Sequence, residues 1–502
     1  MRRTSRALNF VAGFVAVMSL LSCSSASAPD GSAGVSSTTT LQTAESTPRP
    51  TSAPTVLTEP NDLELHSRGI GDVLFADLGN PGVDVTHYDV EIEFDAATGV
   101  LDGTVRLSIT ATDNLADFSL DAVQLKVDSI VVDGQPAQFE VAEPELVISP
   151  AVPIAKGDSF EVTIVYSATP RPQQSILGIP NGWFVTSGGT FVMNEPDGAR
   201  TWLPSNDHPS DKATYRFIIH TRAGSTGIAN GVLEQHSINV GDETWVWNQT
   251  DPMATYLIQV ITGDYEIIDT LGPNGMPLTS AVLRSDRTLM QPLIDVTPEQ
   301  IAFFEENFGP YPLSSYGIAV TDSAGGLGME QQARPLFSRD DFAAGVMGVD
   351  QQYLLSHELA HMWFGDAVTP VVWQDIWLNE SFATYAGWMW LEHVGFRSLA
   401  TNVEMALRDR QRPGASTGEP PVDRMLGFEV YDGGAVVLHA LRLTIGDGAF
   451  FTLLRTWVAE NKGTSRGTND FIALAERVAG VDLTTFFDEW LFATSLPARL
   501  PA

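Results

Sequence analysis

The apolar residues of this chain change their period once, and that change limits the fold more than any other feature. From Thr86 to about Tyr166 they alternate with polar residues in short runs. Tyr88–Phe94, Val105–Ile109 and Phe160–Tyr166 are examples. Period two with turn residues between runs predicts half-buried antiparallel strands, and Asp102-Gly103 and Asp133-Gly134 read as the turns. The pattern continues through Tyr215–Ile219, Thr244–Trp247 and Tyr256–Ile261. Beyond about residue 266 the spacing becomes three and four. It predicts helices over Pro298–Phe308, Tyr353–Phe364, Ser381–Val394, Gly434–Ile445, Gly448–Glu460 and Asn469–Val478. A small β portion is expected near Gly317–Val320 and Gly328–Leu336. The expected architecture is multidomain α+β, with an antiparallel β domain over residues 62–265 and a mostly helical domain over 266–502. No internal repeat is visible.

Composition allows large cores: 43% of the 502 residues are hydrophobic and 9% aromatic. Lys and Arg total 28 against 62 Asp and Glu, a formal net charge of −34. That balance excludes nucleic acid as a partner and opposes adsorption of the body to an anionic membrane. A single cysteine, Cys23, excludes an intrachain disulfide. It follows a basic start (Arg2, Arg3, Arg6) and a mostly apolar stretch, Ala7–Leu21. That stretch is shorter than the about 20 residues a membrane-spanning helix needs, and it has the layout of a secretory signal. Leu20-Leu21-Ser22-Cys23 resembles the lipobox of bacterial lipoproteins. The resemblance implies a signal peptide over 1–22, acylation of Cys23, and a protein exported and lipid-anchored on the outer face of the cytoplasmic membrane. Residues 23–61 are rich in Ser, Thr and Pro and poor in aromatics, as in a disordered tether.

The chemistry concentrates in His357-Glu358-Leu359-Ala360-His361. On a helix, residues four apart share a face, so both imidazoles can reach one metal ion. Glu358 is rotated by about 100° from His357 and can face a water beside that ion. Two neutral imidazoles suit Zn²⁺, whose catalytic sites keep three protein ligands and one exchangeable position. A third ligand is expected from a following helix. Glu380 lies eighteen residues beyond His361, in Trp377-Leu378-Asn379-Glu380, where Asn379 can act as a helix cap. Taken singly, Glu380 would be an ordinary acid favoured by the helix dipole. With both histidines it completes a ligand set.

His-Glu-x-x-His followed by Glu380 within Trp377-Leu-Asn-Glu-Ser-Phe-Ala383 resembles the gluzincin metallopeptidases, and more narrowly the M1 family of zinc aminopeptidases. Leu327-Gly328-Met329-Glu330-Gln331 is similar to that family's Gly-Ala-Met-Glu-Asn motif. The resemblance implies that Gly328, Met329 and Glu330 lie along the substrate backbone and that Glu330 binds its free α-amine. Asn194-Glu195-Pro196 resembles the family strand whose acid is a second clamp on that amine, here Glu195. Val430-Tyr431-Asp432-Gly433-Gly434 resembles the family's Tyr-x-Lys-Gly segment, whose Tyr stabilises the developing oxyanion; Tyr431 takes that place, and Gly433 stands where the family has Lys. His208 and His439 lie in similar segments without an implied role.

The resemblance covers about residues 62–502. It implies a saddle- or sandwich-like β domain, a thermolysin-like catalytic domain and one Zn²⁺ per chain on His357, His361 and Glu380. It also implies a short form without the family's large C-terminal helical domain, and therefore a more open cleft. The implied activity is removal of N-terminal residues from peptides with a free N-terminus, with Glu358 as general base and acid. A non-catalytic peptide-binding surface lipoprotein, a thermolysin-like endopeptidase and a hydrolase of a non-peptide substrate stand as alternatives.

Overall fold

The computed structural model describes residues 69–322, 328–410 and 414–501. Cys23, the signal peptide and tether at 1–61, and Leu327 lie outside the described residues. Those from 69 onward belong to one compact unit.

The β region is built on an eight-stranded sheet. Its strands, in spatial order, are Val232–Ile238, Asp242–Ala254, Lys212–Arg222, Val83–Asp95, Val100–Ala111, Ser159–Ala168, Leu125–Val132 and Gln135–Pro136. All pairs are antiparallel except that of Lys212–Arg222 with Val83–Asp95, where Tyr88 faces Tyr215 in a parallel register. The alternation read from sequence is the burial pattern. Phe160, Val162, Ile164 and Tyr166 are buried, while Glu161 and Val165 face out. Each such apolar side chain contributes roughly 1.5–3 kcal/mol on burial.

The two Asp-Gly pairs diverge. Asp133 and Gly134 have φ of 48° and 75°, as a two-residue hairpin turn requires. Asp102 and Gly103 instead lie inside the strand Val100–Ala111, opposite Ser167 and Tyr166. A Cβ at 103 would come within 2.7 Å of Tyr166 Oη, so this glycine admits a ring rather than a turn.

A five-stranded sheet follows, in the order Thr226–Ala229, Val260–Gly263, Gly189–Met193, Pro180–Val185 and Gln173–Gln174. Tyr265–Leu271, Pro277–Leu283, Ala319–Thr321 and Leu336–Ser338 form a mixed four-stranded sheet leading toward the helices.

Eight helices complete the described fold: α1 Gln291–Phe308, α2 Val349–Ala360, α3 Trp377–His393, α4 Leu399–Arg410, α5 Asp432–Ile445, α6 Asp447–Asn461, α7 Thr468–Ala479 and α8 Thr484–Trp490. α1 starts seven residues before its expected start. Pro292 occupies its first turn, and Pro298, read as a start, lies inside. α2 ends before its expected end, because the chain leaves helical geometry at Phe364 and Gly365, the latter with φ 128°. α4 has apolar residues at Leu399, Val403, Ala406 and Leu407, a helical spacing that the sequence reading passed over. α3 is buried on all sides from Trp377 to Leu391, so it forms the centre of the helical region. The result is a β-rich domain followed by a helical one.

Candidate active site

α2 carries His357 and Glu358, His361 caps its C-terminal end, and the first turn of α3 carries Glu380. The two imidazoles face each other, with 3.2 Å between their Nε2 atoms. Glu380 Oε2 is 3.3 Å from His357 Nε2 and 3.6 Å from His361 Nε2. All three side chains are buried. Glu380 Oε2 has no hydrogen-bond partner among the described residues. Two imidazole nitrogens and an orphaned carboxylate oxygen at this spacing fit a zinc ion, whose ligand chemistry they match.

Asn379 does not cap α3. The helix begins two residues earlier, at Trp377, and Asn379 is inside it, its Nδ2 donating to Tyr256 Oη from the β domain at 3.2 Å. That bond anchors the start of α3 next to Glu380.

A second carboxylate group shares Glu380. Oxygens of Glu195, Glu330 and Glu380 lie within 4.8 Å of one another. Glu195 leaves the end of the strand Gly189–Met193 beside Asn194, whose side chain is tied to Ile258 O and Trp202 Nε1 at 3.0 Å each. Glu330 follows Met329, which exchanges two backbone hydrogen bonds with Leu336 at 3.0 and 2.8 Å. Gln331, where the resembling motif has Asn, is fully buried. Its Nε2 donates to Val192 O, and its Oε1 accepts from Gln259 Nε2 at 2.8 Å. Gly328 passes so close to Glu358 that a Cβ there would overlap the carboxyl group.

Tyr431 stands at the N-terminal boundary of α5, its ring nearly parallel to that of His357 at 5.9 Å between centroids. Its loop is fixed by Ser381 Oγ donating to Val430 O at 2.6 Å and Thr417 Oγ1 to Glu429 O at 2.8 Å. Gly434 has no Cβ because the Ser381 hydroxyl fills that space. At Gly433 a Cβ would lie 2.7 Å from Arg410 Nε. The buried Arg410 side chain therefore packs where the resembling family has a Lys.

Burial dominates the electrostatics. It pushes the Glu358 carboxyl well above the usual range; His361 opposes this, and Glu330 and Glu380 add to it. Burial likewise raises Glu195, helped by Glu330, and brings Glu330 up to about 6. Burial also acts on Glu380, but His361 and His357 outweigh it and hold the carboxyl down at about 2, ionised. Burial with nearby Glu380 raises the Tyr431 phenol well above 10, so it remains a hydrogen-bond donor.

Two further contacts escaped the sequence reading. Lys212 Nζ reaches Asp366 O at 2.6 Å and Thr369 Oγ1 at 2.7 Å, binding a β-domain strand to the turn after His361. Tyr353, four residues before His357, places Oη 3.4 Å from His357 Nδ1. Its spacing on α2 was the available signal. His208 is held by Asp72 and Ser210, and His439 by Tyr385, both away from the ligand set.

A β domain followed by a helical domain whose central helices converge two histidines and a glutamate defines the gluzincin class of metallopeptidase. The model of the Peptidase M1 N-terminal domain matches residues 84–257, and that of the Peptidase family M1 domain matches residues 293–490. The chain belongs to peptidase family M1. "Probable aminopeptidase 1" of Sulfurisphaera tokodaii is 24% identical over 83% of this chain and 54% of its own length. Aminopeptidase N of Lactococcus lactis is 25% identical over 82% and 51%. The chain thus spans about half the length of the curated relatives it matches. Among solved structures, a mutant two-domain M1 zinc metallopeptidase bound to L-tryptophan has a TM-score of 0.79 and 27% identity, covering 86% of this chain and 100% of that one. The M1 zinc metallopeptidase of Deinococcus radiodurans gives a TM-score of 0.77 and 28% identity, covering 86% and 99%.

Proposed function

We propose that this chain is a zinc aminopeptidase, removing residues one at a time from peptides with a free N-terminus. The observation carrying this reading is the shared Glu380. It belongs both to the set His357–His361–Glu380 and to the set Glu195–Glu330–Glu380. A cationic α-amine gripped by Glu195 and Glu330 must therefore lie next to the hydrolytic centre, within about one residue of the scissile bond.

His357, His361 and Glu380 would hold the zinc. When bound, that ion supplies Lewis acidity, polarising the scissile carbonyl and the attacking water. Glu358 takes the proton of that water on its carboxylate and passes it to the leaving amine. Tyr431 donates its phenolic hydrogen to the carbonyl oxygen as negative charge develops there. Glu195 and Glu330 orient the substrate, and the Gly328–Glu330 segment runs alongside Glu358. We further propose that Cys23 is lipidated and holds the protein on the outer face of the cytoplasmic membrane. Among the described residues no helix is long and apolar enough to cross a membrane. Replacing Cys23 with Ala should move the protein from the membrane fraction to the medium.

The decisive test pairs an aminoacyl anilide with its N-acetylated form. The wild type should hydrolyse only the free-amine substrate, and Glu330→Ala should lose about 10–100-fold on it. Equal cleavage of the blocked substrate by the wild type would identify a thermolysin-like endopeptidase instead. No turnover of either by zinc-loaded protein would identify a peptide-binding lipoprotein.

A further inference from the structure

The two zinc-site histidines are supported differently. His361 Nδ1 lies 3.2 Å from the backbone carbonyl of Phe364, a contact made possible by the break from helical geometry at Phe364 and Gly365. His357 has no such carbonyl among the described residues, since α2 continues through it. Among those residues its Nδ1 meets the Tyr353 phenol, at 3.4 Å, with the rings tilted 42° and 5.5 Å apart. The phenol in turn lies 3.4 Å from Thr384 Oγ1.

We propose that Tyr353 is a positioning residue that fixes the orientation and tautomer of His357 toward the metal. This rests on the zinc-centre reading above. His357 Nε2 faces His361 Nε2 and Glu380 Oε2, so it must present a lone pair there. Its proton then sits on Nδ1 and is donated to Tyr353 Oη, while Tyr353 passes its own hydrogen to Thr384 Oγ1. Each donor in this chain has one acceptor. The reverse order would put a proton on Nε2, pointing at the ligand locus.

The geometry is shared between α2 and α3. Tyr353 and His357 on α2 and His361 at its C-terminal cap follow one another every four residues, and Glu380 and Thr384 have the same spacing on α3. Gly387, one turn beyond Thr384, leaves room for the phenol ring. A Cβ at 387 would come within 2.9 Å of ring atoms Cδ2 and Cε2. Groups that orient a metal-bound imidazole typically change metal affinity 10–100-fold when removed.

The test measures zinc affinity by chelator competition in the folded chain, alongside thermal unfolding and the visible spectrum of the cobalt-substituted protein. The wild type should bind one zinc, dependent on His357. Tyr353→Phe keeps the ring and its packing, and should weaken zinc about tenfold or more and shift the cobalt spectrum, with unfolding of the zinc-free protein unchanged. Gly387→Ala keeps the hydroxyl but displaces the ring, and should weaken zinc as well; it carries the test if Tyr353→Phe fails to fold. Zinc affinities within twofold of wild type in the folded variants, with an unchanged cobalt spectrum, would overturn the role of Tyr353. Failure of the wild type to bind zinc through His357 would overturn the metal-centre reading instead.

Discussion

Buried carboxylates gather in two regions of this chain, and their hydrogen bonding sets them apart. Toward the β domain, Asp72 accepts from the backbone N–H of Leu74, Phe75 and Trp373 and pairs with His208. Asp207 accepts from Arg200 N and Thr255 Oγ1, and Asp211 from Val85 N and Asn206 Nδ2. In the candidate active site Glu195 Oε1, Glu330 Oε1 and Glu380 Oε2 have no hydrogen-bond partner among the described residues, and the three carboxylates converge on one another. Asp121 lies between the two kinds: Oδ2 accepts from Asn80 and Asp207 N, whereas Oδ1 has no partner. Burial alone therefore does not mark a functional acid. Convergent carboxylates that keep unsatisfied oxygens do, because leaving them so costs stability that a bound cation can offset.

The contrast can be broken by mutation. The largest effect is expected at Glu358. Glu358→Gln should retain zinc by metal analysis yet lose about 10²–10⁴-fold in kcat; near-normal turnover of the zinc-loaded variant would refute the general-base assignment. Tyr431→Phe should lose roughly 10²–10³-fold in kcat with KM little changed, as for removal of one oxyanion donor. Asp72 should behave in the opposite way. Asp72→Ala strands buried N–H groups and should lower stability by about 3 kcal/mol in denaturant unfolding, while the folded fraction keeps its specific activity. A large fall in kcat of that folded fraction would erase the distinction between the two regions.

The smallest effect concerns pH. Burial pushes Asp211 up to about 7 from 3.8. The folded state therefore binds its proton more tightly than the unfolded state. The stability this contributes is present below pH 3.8 and is lost as pH rises through about 7. Asn can accept the same two hydrogen bonds without a charge. Asp211→Asn should match the wild type near pH 4 and exceed its stability by roughly 2 kcal/mol at pH 8. Comparing urea midpoints at the two pH values checks the sign.

Much of the site was legible because its elements are local. His357 and His361 share a face through helix geometry alone, and Glu380 was found from the opening of α3. The role assigned to Asn379 was not correct, since local cap chemistry gave way to Tyr256, a residue of the β domain. Asp102-Gly103 failed as a turn for a similar reason: strand pairing and the Tyr166 ring outweighed the turn preference. Tyr353 had the right spacing from His357, but its phenol acquires a role only where α3 brings Thr384 and Gly387 against it.

By itself, the sequence determined the periods of the two regions, the spacing of the proposed zinc ligands and the excess of acid. These depend on near neighbours and on repeat geometry. Tertiary structure decided which acids converge. Glu195, Glu330, Glu358 and Glu380 come from well-separated segments, and only the packing of strands and helices brings them together. It also decided that Arg410 packs into the space left by Gly433, and that Gly328 leaves room for Glu358. Such contacts depend on which surfaces are buried against each other, and residues far apart in the chain carry no local signal of that.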